Sequence, residues 1–129
     1  MMSLPSILMV PIFPNICHTQ LRLGYPRLNS DLFKINVVPC PSCSCSFPSE
    51  DTAHFLLSCP NYDSSRQKLL ISTIPLIAPG VHPNLILHIA RERLLHIFLF
   101  GSKELPDVLN IQIFDAVQSF IADSRRFVF

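Results

Sequence analysis

The sequence predicts a mainly α fold of four or five short helices broken by one irregular, cysteine-rich loop, and three observations lead there. Apolar residues make up 49% of the 129 and charged residues 15%, so the chain has surface to bury and is not kept unfolded by charge. Twelve prolines against three glycines exclude a single long helix or coiled coil and cut the chain into short elements. Between the prolines, apolar residues recur at helical spacing, and no run approaches the ~18–20 residues of a membrane span. The length suits one domain with one core.

Residues 1–19 read as an irregular lead-in, because Pro5, Pro11 and Pro14 interrupt them. After Gly24-Tyr25-Pro26, Leu28, Leu32 and Ile35 recur at helical spacing and predict a short helix. Pro39, Pro41 and Pro48 then forbid regular structure from Val38 to Glu50. Ser49 is an N-cap candidate with Glu50 and Asp51 in the first turn that follows; Phe55, Leu56 and Leu57 supply an apolar side, and Pro60 is the stop. Asp63 caps a helix running from Ser64 to Ile74, which Pro75 is expected to end. A further helix is expected from about Asn84 to Phe100, apolar on most faces, with Arg91-Glu92-Arg93 solvated. The last spans Asp107 to Ser124, with Ile113, Val117 and Phe120 or Ile121 opposite Gln112, Asp115 and Ser119.

Charge limits the partners. The formal net charge is +1, too even for a protein whose affinity rests on neutralising many phosphates. Nucleic-acid contact must therefore be local or be helped by a larger assembly. Met1–Phe13 is apolar, yet no basic residue precedes it and no small-residue cleavage site follows. The expectation is an intracellular chain, in the cytoplasm or nucleus and without a membrane anchor, whose five cysteines stay reduced.

The dense chemical feature is Cys40-Pro41-Ser42-Cys43-Ser44-Cys45, followed by His54 and Cys59-Pro60. Four soft or borderline donors split between a tight turn and a following helix are what a structural zinc site requires. Two sets are open: Cys43-x-Cys45 with His54 and Cys59, or Cys40-x2-Cys43 with the same second pair. On an ideal helix, His54 and Cys59 would point roughly 140° apart. Pro60 relieves this, since the residue before a proline is pushed out of the helical region and Cys59 can swing back. A loop with three prolines cannot offset its own ordering entropy, whereas a structural zinc site contributes ~10–16 kcal/mol. Four protein ligands leave no open position for an activated water, so catalysis by the metal is not expected. Cys17 is remote from the cluster, followed by His18, and reads as an ordinary thiol; His82, His88 and His96 lack partners at ligand spacing and read as satisfied or surface histidines. The organisation is thus 1–19 lead-in, 20–62 zinc-binding segment with a zinc-knuckle loop, and 63–129 helical C-terminal region.

Several residues together resemble a known family. They are Leu21-Arg22-Leu23-Gly24, Leu28-Asn29, Cys43-Ser44-Cys45, the run Glu50-Asp51-Thr52-Ala53-His54-Phe55-Leu56-Leu57-Ser58-Cys59-Pro60, Tyr62 and Arg66. The pattern is similar to the C-terminal zinc-binding region of non-LTR (LINE-type, jockey-like) retrotransposon reverse transcriptases. The tail from Leu99-Phe100-Gly101-Ser102 to Arg126-Phe127 extends the resemblance to about residues 20–127. It implies Cys43, Cys45, His54 and Cys59 as ligands, with Cys40 to spare. Ser46 departs from the pattern, which has glycine there; glycine suits a turn of positive φ, and serine would cost about 1 kcal/mol.

The carboxylate pair of a polymerase and any endonuclease region are absent from the sequence, so the resemblance implies a detached C-terminal piece that is not an enzyme. Its role would be auxiliary contact with RNA or DNA. Arg22, Arg27, Lys34, Arg66 and Lys68 are the candidate phosphate contacts, and Tyr25 or Tyr62 the stacking surfaces. The alternative is a structural or protein-interaction zinc module, or a remnant of a mobile element, docking through the apolar Asn84–Phe100 helix. A secreted, disulfide-bonded chain is the third reading.

Overall fold

The first helix opens on a proline. In the computed structural model, which describes residues 13–25, 27–79 and 89–127, α1 spans Pro14–Arg22. This corrects the irregular reading of residues 14–19: Pro14 occupies the first helical position, where its missing N–H costs nothing and its fixed φ is already helical. Cys17, His18 and Leu21 form its buried side.

Helix α2, Asn29–Lys34, ends at Asn36, whose φ of 64° is the left-handed conformation that asparagine tolerates. Asn36 N–H donates to Phe33 O at 3.1 Å and Val37 N–H to Leu32 O at 2.9 Å, the paired bonds of a Schellman stop. Leu28 just before the helix is fully buried, whereas Ile35 is exposed.

Residues 38–50 form the expected irregular loop, and the next turn begins later than expected. Asp51, not Ser49, is its cap, with Oδ1 accepting the His54 N–H at 2.8 Å. Glu50 instead turns back to α2, its carboxylate accepting the Asn29 N–H and its carbonyl the Ser30 N–H. His54–Ser58 is a single π turn and Pro60–Tyr62 a 3₁₀ turn. Helix α3, Asp63–Ile77, runs through Pro75 rather than stopping before it. Pro75 lies exposed in the last turn, where only one i→i−4 bond is lost.

Helix α4 spans Arg91–Phe100 and α5 spans Asp107–Ser124. The expected Asn84 start, with His82 and His88, lies outside the described residues; Ala90 is extended, so α4 does not continue back through it. Gly101, at φ 76°, ends α4 in a conformation open to glycine. Ile113, Val117, Phe120 and Ile121 are the buried stripe of α5, as their spacing predicts.

Helix α3 packs along α5, and α1 lies against both α5 and α4. Phe55 enters the core from the π turn and meets Tyr62, Phe127 and Phe120 at ring separations of 5.2, 5.2 and 5.3 Å. Each such side chain contributes ~1.5–3 kcal/mol by leaving water. The cysteine loop is thereby fastened to the helical core. The described residues are mainly helical, with no strand among them. No described helix is long and apolar enough to cross a membrane.

Candidate metal centre

Cys43 and Cys45 come from the loop, His54 from the start of the π turn and Cys59 from just beyond its end. The ligand atoms of the four all lie within 4.8 Å of one another. Cys43 and Cys59 Sγ are 3.6 Å apart, and Cys45 Sγ is 3.2 Å from His54 Nε2. Tetrahedral zinc with its usual bond lengths holds sulfurs about 3.8 Å apart and sulfur and nitrogen about 3.6 Å apart. The donor set fits such an ion. All five cysteines are free thiols in this structure.

The local backbone explains the convergence. Ser46 N–H donates to Cys43 O, and Cys43 N–H to Phe47 O, each at 2.9 Å, folding the loop into a tight turn. Ser46 has φ 80°, the left-handed conformation for which glycine would be the easier residue. At the other half, Cys59 is extended with ψ 122°, as Pro60 requires of its predecessor. Its N–H still reaches His54 O at 2.7 Å, an i→i+5 bond that brings the two ligands one wide turn apart. That π turn is the feature the sequence reading lacks. It removes much of the angular conflict expected on an ideal helix.

Cys40 stands apart from this cluster. It is exposed, and its sulfur lies 3.0 Å from Ser42 Oγ. The structure thus selects the Cys43-x-Cys45 set over Cys40-x2-Cys43.

The surroundings suit a cation. Burial pulls the His54 imidazole below its usual pKa, with the Asp51 charge opposing, so the ring favours the neutral form that binds metal. The Phe47 N–H holds the Cys45 thiol below its ordinary range. Burial pushes the Cys59 thiol up, and a bound cation would reverse this by favouring the thiolate. His54 stacks on Phe47 with ring centroids 4.3 Å apart. His54 Nδ1 is buried and has no hydrogen-bond partner among the described residues.

Three further residues support the centre and were not expected to. Arg66 is buried and donates to the carbonyls of Phe55, Leu56 and Cys59, at 2.9, 3.0 and 2.8 Å. It caps the π turn and so is not a phosphate contact, a correction to the sequence expectation. The guanidinium takes the place of the missing backbone donors beyond the turn. Glu50 receives two hydrogen bonds from Arg126, and its Oε2 lies 3.9 Å from Cys43 Sγ. No sequence signal pairs Glu50 with a residue 76 positions away.

The other expected contacts are dispersed. Arg22 donates to Leu99 O and lies over Phe114. Arg27 donates to Gln20 and lies over the exposed Tyr25 ring. Lys34 and Lys68 are exposed on α2 and α3. Tyr62 is half-buried and meets Phe55 and Phe120 in T-shaped contacts. In α4, Leu94, Ile97, Phe98 and Leu99 turn into the chain's own core, while His96 is exposed beside Phe100.

No family model, curated protein or solved structure matches the chain. The functional assignment therefore rests on the site itself. A cluster of three cysteines and one histidine able to hold a metal ion is present.

Proposed function

We propose that this protein is a zinc-stabilised module of the kind found at the C-terminus of non-LTR retrotransposon reverse transcriptases, serving as an auxiliary nucleic-acid contact without catalysis of its own. The convergence of Cys43, Cys45, His54 and Cys59 carries the reading. Three thiolates and an imidazole saturate a tetrahedral ion, so the zinc shapes the loop rather than activating water. Its chemistry is structural. The local net charge of such a cluster is −1, so phosphates would be met by exposed Lys34 and Lys68, and a base by Tyr25 beside Arg27. Metal content per purified chain, with circular dichroism before and after chelation, tests the first half. One zinc per chain and loss of helical signal on chelation are expected; a metal-free chain of undiminished order overturns it. Titration of single-stranded RNA against salt tests the second half, and a flat dependence of log K on log salt removes it.

A second reading, a protein-interaction module, is favoured by one observation. Phe33, Ile35 and Val37 follow one another in and after α2 with exposures of 43, 54 and 62%. Concentration-dependent association of the zinc-loaded chain would support this reading over the first.

A further inference from the structure

The chain's last described turn is joined to the metal loop by a buried ion pair. Glu50 is 3% exposed. Its carboxylate accepts Arg126 Nε at 2.9 Å, Arg126 Nη2 at 2.7 Å and the Asn29 N–H at 2.8 Å. Its own N–H donates to Pro41 O at 2.8 Å and its carbonyl accepts from Ser30. Glu50 is thus tied to chain on both sides of Cys43, and its Oε2 approaches the Cys43 sulfur at 3.9 Å. Arg125, at φ 54°, turns the chain after α5 so that Arg126 can reach inward. Phe127 beside it is buried edge-on against Phe55, the residue after His54.

We propose that this C-terminal turn is a latch on the metal centre: Arg126, acting through Glu50, is a positioning residue for Cys43, and latching and metal occupancy are thermodynamically linked. The inference rests on the reading that Cys43, Cys45, His54 and Cys59 bind a divalent ion. The physical argument is one of charge. A zinc cluster with three thiolates is already negative, and Glu50 places a second buried negative charge next to one of its sulfurs. Arg126 compensates that charge in a bidentate geometry. Without it, an unpaired buried carboxylate faces a thiolate, and the ligand set in its metal-binding form becomes costlier. Partners of this outer kind alter metal affinity by about 10–100-fold. Linkage then requires the reverse: metal must strengthen docking of the turn by the same factor.

The test uses the full chain and zinc competition against a chromophoric chelator, with cobalt spectra reporting the ligand set. Arg126→Met is expected to lower zinc affinity about 10–100-fold while the cobalt spectrum keeps its thiolate bands. Arg126→Lys should lose less. Adding Glu50→Gln to Arg126→Met should recover part of the loss, because no uncompensated carboxylate remains. Val117→Ala, which weakens the core away from the ion pair, should lower zinc affinity less than Arg126→Met does. Removal of zinc should also raise deuterium uptake at residues 125–127 in the unaltered chain, and no such rise would overturn the linkage. Unaltered zinc affinity in Arg126→Met, no recovery in the double variant, or an equal loss in Val117→Ala would overturn this inference alone. A wild-type chain that binds neither zinc nor cobalt would overturn it together with the zinc reading.

Discussion

The N–H of Cys59 donates to the carbonyl of His54 at 2.7 Å, closing a six-residue stretch that has a ligand at each end. This bond joins local backbone and metal chemistry. A regular helix would have set the two side chains on different faces, whereas the wide turn, with Pro60 holding Cys59 extended, lets them converge. Phe55, between them in sequence, is anchored in the core. Metal loop and helical bundle are therefore expected to unfold as one unit.

Cys45→Ser and Cys40→Ser should separate cleanly. Cys45 Sγ sits beside His54 Nε2, while Cys40 faces solvent and Ser42. Zinc per chain, measured after dialysis against a weak chelator, is expected to fall sharply in Cys45→Ser and to stay at the wild-type ratio in Cys40→Ser. The opposite pattern would assign the other ligand set.

Ser46→Gly should stabilise the zinc-loaded chain. Serine at φ 80° carries a left-handed strain that glycine lacks, worth about 1 kcal/mol. Part of that gain is lost to the greater freedom of glycine in the unfolded chain. A urea midpoint that rises with an unchanged slope is the expected result; a lower midpoint would contradict the strain argument.

Arg66→Met should destabilise the fold without touching nucleic-acid binding. The change strips donors from three carbonyls, those of Phe55, Leu56 and Cys59. A buried polar group left unsatisfied costs about 1–3 kcal/mol, so a total loss of about 3 kcal/mol or more is expected in denaturant unfolding. The salt dependence of RNA binding should not change, because the guanidinium is buried. A reduced salt slope in a folded variant would restore Arg66 as a phosphate contact.

His18 should make stability depend on pH. Its Nε2 faces Phe98 O at 2.7 Å and donates to it, while Nδ1 accepts from the Gln118 amide at 3.2 Å; the fully buried ring is therefore neutral. Burial pulls its pKa below the usual value, the Phe98 carbonyl opposes this and the Arg22 charge adds to it. With the folded value below the unfolded one of about 6.5, the unfolded chain binds more protons in between. Stability is then full above about pH 6.5 and falls as pH drops below it. Urea unfolding of the zinc-saturated chain and of His18→Gln, at about pH 8 and about pH 5, isolates the effect. Identical pH dependence in the two would refute it.

Much of the site was legible in the sequence because its signals are local. The run from Cys40 to Cys45 marks a chelating turn, with its two ligand sets left open, and Pro60 dictates the backbone of Cys59 whatever surrounds it. The helices α3 and α5 could be read from apolar spacing, and Ile113, Val117 and Phe120 fell on the buried side as that spacing requires. Proline was the poorer guide. Pro14 opens a helix and Pro75 is tolerated at the end of one, since at helix ends the missing N–H is lost cheaply.

The amino-acid order by itself determined the helical class, the proline-broken loop and a cluster of four cysteines and one histidine within twenty residues of chain. These follow from steric rules and donor chemistry acting over a few bonds. Only the tertiary structure decided that Cys40 is left out, that Arg66 is a buried cap and that Arg126 closes on Glu50. Each of those depends on which groups lose water together. That is a property of the packed chain, because the desolvation that makes a charge seek a partner arises only once distant segments have come into contact.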